Sequence, residues 1–356
     1  MYEPPFCPNT GCPRHRDPAT RFYVRRGTYR AQCRRQPVPR FRCKTCGKGF
    51  SRQTFRADYR DRKPGLNEAV LSHLCSGVGF RQTARMVGMT RRNLERKARK
   101  LARVGAAADR NLQIRARRQA LARGGHAALE LQMDELMTYE GCRYSRPVVI
   151  ANVIEPQSRF FIASRVASIR PSGRMTERRE RQIEADETRF GRRVDESPAA
   201  CTDAFKAAAA LFPKAVAVEV ETDERPGYPG YIRAAFRGRA VTHSRTPGSA
   251  PRGHGTPLFP INQTEAIMRD HLGRVRRESW LVSKERGWLQ LFVDLHRAIR
   301  NWTRPRFNFD EASPAQLLGL APRRLRWREL FRWRQDWGQR SPDPFGSGKR
   351  TLLALS

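Results

Sequence analysis

The sequence predicts a multidomain chain: a small metal-clamped ribbon, an all-α helix-turn-helix segment, and an α/β domain with a mixed sheet and helices. Three observations predict it. Five of the eight cysteines crowd the first fifty residues, a helical stretch broken twice by glycine follows, and from about residue 125 strand-length apolar runs alternate with turns and helical segments. The expected bounds are residues 1–60, 61–110 and 125–310, with a basic, tryptophan-rich helical tail over 311–356.

The ribbon rests on two close cysteine pairs, Cys7 with Cys12 and Cys43 with Cys46, separated by a hairpin-length spacer. Four thiolates so spaced suit a tetrahedral structural zinc site, and in a reducing compartment they do not suit a disulfide framework. Gly11 and Gly47 let the backbone turn tightly at each pair. Residues 21–24 and 40–43 are strand-like and fit a zinc ribbon. A redox Cys-x-x-Cys would want a thioredoxin-like strand and helix around it, and neither is visible. His15 and Cys33 stay open as alternative ligands in place of Cys12 or Cys7, although Cys33 reads more simply as a spare thiol. Cys75, Cys142 and Cys201 read as small core residues.

Charge bears on the second segment. Lys and Arg number 70 against 34 Asp and Glu, a net charge of +36, and the pI is near 11.3. That excludes most ordinary metabolic enzymes and points to a polyanion, with nucleic acid ahead of an acidic membrane surface. Hydrophobic residues at 39% are too many for a disordered basic tail. No apolar run approaches the roughly 20 residues that cross a bilayer, and the opening residues lack the features of a signal peptide. The cytoplasm is the expected location.

Helical periodicity begins at Leu66, with Ala69, Val70 and Leu74 on one face, and Gly77 and Gly79 interrupt it. A second helix over 80–87 ends at Gly88, where a left-handed C-cap favours glycine. Thr90 is the N-cap of a third helix, from about Arg91 to Arg103, with Leu94, Ala98 and Leu101 inward. Arg91, Arg92, Asn93, Arg96 and Lys97 are expected outside, and Arg92, Asn93 and Arg96 are the candidates for reading base edges in a major groove. A merely solvated charged face is the plain alternative.

The α/β domain opens with a strand over 127–136, on which Asp134 shares a face with Gln132 and lies opposite Leu131 and Met133. Glu135, on the other face, reads as structural. Strands over 146–154 and 159–166 form an antiparallel hairpin across a short turn. A charge-dense insert over 170–198 reads as a mobile helix or loop. A helix over 201–211, a strand over 215–223 ending in Asp223 and a last long helix over 262–280 complete the domain. That helix carries Asn262 and Glu265, three residues apart and on one face, and then Arg269, Arg274, Arg276 and Arg277, expected to lead a DNA backbone past the acids.

Three antiparallel strands, a helix, a strand ending in Asp and a late helix bearing Glu are the order of an RNase H-like domain. With the ribbon, Gly77 to Gly88, the Met-Asp-Glu-Leu strand at Met133 to Leu136 and the Thr-Asp-Glu turn at Thr222 to Glu224, nearly the whole chain resembles insertion-sequence transposases. The likeness is to those that join a zinc ribbon and helix-turn-helix to a DDE-type catalytic core. The resemblance implies DNA cleavage and strand transfer at element ends. It implies double-stranded DNA as partner, both terminal repeats and target, a homo-oligomer on that DNA, and no membrane. It also implies two Mg²⁺ ions, or Mn²⁺, held by Asp134, Asp223 and a third residue. Glu265 is favoured there because a carboxylate binds magnesium better than an amide, with Asn262 as alternative or supporting ligand. The competing expectation is a non-catalytic DNA-binding regulator derived from a decayed transposase.

In the tail, residues 323–337 are expected to be helical, with Trp327, Leu330, Phe331 and Trp337 packed as core and stacking on exposed bases as the lesser use. Residues 313–320 resemble the tail that follows such catalytic domains, and 341–356 are expected to fray.

Overall fold

The computed structural model describes residues 2–122, 128–212, 217–251, 253–276 and 279–345. At the N-terminus, the short helix α1 (Pro13–Arg16) precedes three strands, β1 (Tyr23–Tyr29), β2 (Val38–Cys43) and β3 (Gly49–Ser51), which pair antiparallel in that order. Phe6, Phe22, Phe41, Phe50 and Phe55 fill their core together with Cys7, Cys12 and Cys43. So small a sheet has little apolar surface of its own, and Trp333, from the far end of the sequence, completes the cluster while Trp337 packs against it.

Three helices follow: α2 (Asn67–Leu74), α3 (Phe80–Met86) and α4 (Arg91–Ala122). Gly77 and Gly88 lie in the left-handed region at φ +75° and +60° and make the turns between them. Thr90 Oγ1 accepts from the Asn93 N–H at 3.4 Å, as an N-cap does. The expected end of the third helix near Arg103 is corrected: α4 runs 32 residues, about 48 Å at the α-helical rise. Its first half buries Leu94, Ala98 and Leu101 against α2 and α3, and its second half lays Ala108, Leu112 and Ala116 on the core of the α/β domain.

The α/β domain holds five strands: β4 (Ala128–Tyr139), β5 (Pro147–Glu155), β6 (Phe160–Ser168), β7 (Ala217–Asp223) and β8 (Ala240–Thr246). They form one mixed sheet in the order β6-β5-β4-β7-β8. The first three run antiparallel, and β7 and β8 join β4 in parallel. This is compatible with an RNase H-like core. Helix α5 (Glu177–Phe190) buries no residue and ends at Gly191, so the insert is helical where helix or loop was expected. Helices α6 (Ser197–Leu211) and α7 (Tyr228–Ala235) cover one face, burying Ala204, Phe205, Ala208 and Ile232 against Leu129, Leu131 and Met133.

Helix α8 (Phe259–His271) covers the other face over Leu136, Ile150 and Ile154. The helix expected to reach Trp280 is shorter: it stops at His271, a 3₁₀ turn covers Gly273–Val275, and Trp280 is 96% exposed. Helix α9 (Arg286–Trp302) then lies between this face and α4. Its Arg297 and Trp302 donate to Asp109 of α4 at 2.8 and 2.7 Å.

The tail is likewise less helical than its periodicity predicts. Among its described residues the α-helices are α10 (Pro314–Leu317) and α11 (Trp327–Leu330), each a single turn, with a 3₁₀ turn over Gly338–Arg340. Beyond α11 the backbone joins the ribbon, with an Arg56↔Trp333 bridge and Arg334 N–H donating to Phe55 O at 2.9 Å. The core role expected of the aromatics therefore holds without the helix: Trp327 and Phe331 pack toward α2–α4, and Trp337 toward the ribbon. The end, 346–356, lies outside the described residues.

Candidate functional site

In the ribbon, the sulfurs of Cys7, Cys12, Cys43 and Cys46 all lie within 4.8 Å of one another, the first three buried and Cys46 exposed. Cys7 to Cys46 measures 3.6 Å and Cys12 to Cys43 3.9 Å. A tetrahedron of sulfurs about 2.3 Å from zinc has edges of about 3.8 Å, so the donor set fits that ion in chemistry and spacing. Burial pushes the Cys7 and Cys12 thiols up. At Cys46 hydrogen bonds from the Lys48 backbone, Asn9 and the neighbouring thiols outweigh the upward effect of desolvation and bring the thiol to about 7. His15 turns away from the cluster, its Nδ1 2.8 Å from Cys7 O, and Cys33 is not in the group. Of the remaining cysteines, Cys75 and Cys201 are fully buried with thiols pushed up to about 12, as core residues. Cys142 is only half-buried, in the turn between β4 and β5.

The acids of the α/β domain come from separate elements. Asp134 lies mid-strand on β4, and its Oδ1 accepts the Glu135 N–H at 2.7 Å. Strand β4 pairs with β7 as far as Gln132↔Glu221, two residues short of both Asp134 and Asp223, which by the alternation of each strand share the face of Gln132 and Glu221. The Asp223 carboxylate is turned at the strand end by the Arg225 N–H, 3.0 Å from Oδ1. Glu265 comes down from α8 onto the same face, 8% exposed, and its Oε1 accepts from Asn152 Nδ2 at 2.8 Å. Burial, and then the charge of Asp134, push its carboxyl well above the ordinary value, opposed by Asn152 and Arg269. Among the described residues these three carboxylates do not reach the mutual 4.8 Å spacing of the cysteines. Asn262 is half-buried, three residues before Glu265 on α8.

Two neighbours of Asp134, the buried Gln132 and the half-buried Glu135, hold these elements in place. Gln132 Nε2 donates to Glu221 Oε2 at 2.9 Å and Pro257 O at 2.8 Å, while its Oε1 accepts the Ile261 N–H at 3.1 Å, which ties α8 to β4 and β7. On the opposite face Glu135 pairs with Arg225 and accepts from the Tyr228 hydroxyl at 3.3 Å, the structural role expected of it. Burial, with the charges of Asp134 and Asp223 behind it, pushes the Tyr228 phenol up.

The arginines differ more from expectation. Arg91, Arg92, Asn93 and Arg96 are exposed at the start of α4, but Lys97 is 7% exposed. The connector folds over Lys97, which binds Asp61, Lys63 O and Asn67 and anchors α4. Arg269 Nη1 and Nη2 donate to Val275 O and Met137 O at 3.0 and 3.1 Å. Arg274 lies beyond the helix, 4.7 and 4.4 Å from the Phe80 and Phe292 ring centroids, and burial lowers its guanidinium to about 10. Arg277 lies outside the described residues.

No protein-family model matches the chain, and no curated protein matches it. Among solved structures it is similar to a chain of "Crystal structure of a pre-cleavage Mos1 transpososome", at 9% identity and a TM-score of 0.19, over 66% of this chain and 76% of that one. Among the described residues no helix is long and apolar enough to cross a membrane.

Proposed function

We propose that the protein is a DNA transposase that cleaves strands at element ends and joins them to target DNA with two divalent ions. What supports this reading is that Asp134 and Asp223 belong to the neighbouring parallel strands β4 and β7, and that Glu265, reaching in from α8, is buried close enough to Asp134 to feel its charge. Carboxylate oxygens are the donors that magnesium prefers, and manganese accepts them as well. Ions about 3.5–4 Å apart, each about 2.1 Å from its ligands, call for donors spread more widely than around one ion. Buried beside Asp134, Glu265 favours a neutral carboxyl unless a cation is near, which supports it over Asn262 as third ligand.

When bound, the ions supply activation of the attacking oxygen and stabilisation of the in-line phosphoryl transition state and leaving oxygen. The chain's part is to fix the acids, through Gln132 and Arg269, and to bring DNA to them. In this reading, water attacks the phosphodiester and the P–O3′ bond breaks, leaving a 3′-hydroxyl that attacks a target strand. The cysteine cluster acts as a zinc ribbon and α2–α4 as a helix-turn-helix, with Arg91, Arg92, Asn93 and Arg96 toward DNA. Lys97, Arg269 and Arg274 act in holding the fold.

Strand transfer on the flanking repeats of its own element, with Mg²⁺ or Mn²⁺, tests the proposal. Asp134→Asn and Asp223→Asn are each expected to lower the rate more than about 100-fold. Unchanged activity in either variant refutes the assignment of that acid. Specific DNA binding by the wild type with no cleavage in either metal would favour the regulator.

A further inference from the structure

The α8 face of the sheet carries a row of polar side chains in register. Asp134 on β4 is the Cα partner of Asn152 on β5, and Asn152 is the partner of Ser164 on β6. Around the row the face is apolar, with Leu136, Ile150, Ile154 and Phe161 beneath Ile261 and Met268 of α8. Asn152 and Ser164 are both 0% exposed. A primary amide in such surroundings is costly unless it is hydrogen-bonded. Asn152 has one bond, from Nδ2 to Glu265 Oε1 at 2.8 Å, while its Oδ1 and Ser164 Oγ have no partner among the described residues.

We propose that Asn152 is a positioning residue for Glu265, its amide pinning one carboxylate oxygen so that the other is presented beside Asp134 for a divalent cation. The proposal rests on the two-metal reading of the site. A glutamate reaching from the middle of a helix has several rotamers of similar energy, and a buried donor on the facing strand selects one of them. Asparagine suits the position because it donates without adding a charge to a place that already holds two acids. A leucine of similar size would fill the space and leave Glu265 free to turn.

The experiment measures Mn²⁺ binding to the full chain, by the electron paramagnetic resonance signal of free Mn²⁺, with thermal melts to show that each variant is folded. Asn152→Leu is expected to weaken Mn²⁺ about 10- to 100-fold, and Asn152→Ser, which keeps polarity but falls short of Glu265, to do the same. In a Glu265→Gln background, replacing Asn152 should change the Kd by less than about twofold, because the amide acts through Glu265. Strand cleavage by Asn152→Leu should recover at high Mn²⁺, a response that loss of packing would not give. Full Mn²⁺ affinity in folded Asn152→Leu or Asn152→Ser, with loss of binding in Asp134→Asn, overturns the positioning role and leaves the two-metal reading intact. Additive losses in the Asn152→Leu, Glu265→Gln double variant also overturn it. Undiminished Mn²⁺ binding in both Asp134→Asn and Asp223→Asn overturns the two-metal reading, and the positioning role with it.

Discussion

Replacing Trp333 by alanine tests whether the ribbon depends on the distant tail. The side chain is 3% exposed, stacks with its ring centroid 6.2 Å from Tyr2, and belongs to the cluster that holds Cys7, Cys12 and Cys43. A buried tryptophan withdraws roughly 200 Å² from water, which at about 25 cal/mol per Å² contributes about 5 kcal/mol. The indole Nε1 is buried without a partner among the described residues, which offsets about 1–2 kcal/mol. A net cost of about 3–4 kcal/mol agrees with the usual range for a large side chain cut to alanine in a core. Because each 1.4 kcal/mol is tenfold, the open ribbon should become on the order of 100- to 1,000-fold more populated. The assay is the rate of zinc transfer to a chromogenic chelator, which follows that population when opening is in equilibrium. Zinc release from Trp333→Ala at the wild-type rate would refute the dependence.

Other outcomes follow from the same geometry. Zinc binding should release protons, chiefly from Cys7 and Cys12, whose thiols burial pushes above the ordinary value, so affinity falls as pH falls. Zinc titrations between about pH 6 and 8 check this, and a pH-independent affinity would contradict it. Cys43→Ser should lose the ion, which metal analysis of the purified variant detects. Asp109→Ala should destabilise the chain by up to about 3–5 kcal/mol, because it removes the closer of the two carboxylates that face the buried Arg297 and leaves it only Asp294 at 3.7 Å. Calorimetry measures that cost, and an unchanged melting temperature would mean that the pair contributes nothing net.

What was legible in the sequence was whatever periodicity and punctuation encode. The hairpin β5–β6 declares itself by two apolar runs around a short turn, and Asp223 by closing a strand. Strand β8 does not, because it is an edge strand with no buried residue, and α7 is hidden by Pro229 and Gly230 in its first turn. Helix α4 continues past Arg103 through Gly105, a residue of low helix propensity. In the fold that glycine is a close approach: a Cβ there would lie 2.8 Å from Leu295 Cδ1 of α9. Lys97 lies on the flank of its helix's apolar stripe, about 60° round from Leu94, and the connector folding over it makes it interior. In the candidate site, Asp134 and Asp223 could be named from strand ends and faces. Asn152 could not, since one amide inside an apolar run gives no local signal and its use is set by a helix more than a hundred residues away.

The joining of ribbon and tail also bears on biogenesis. A ribosome releases Phe6 and Phe55 well before Trp333, so these strands emerge long before their core can be completed. A nascent or prematurely ended chain would hold its cysteines in a half-built core, with the three-helix segment already outside. The contact thus ties the N-terminal core to a residue far along the chain: the cluster around Phe6 and Phe55 is complete once Trp333 has joined it.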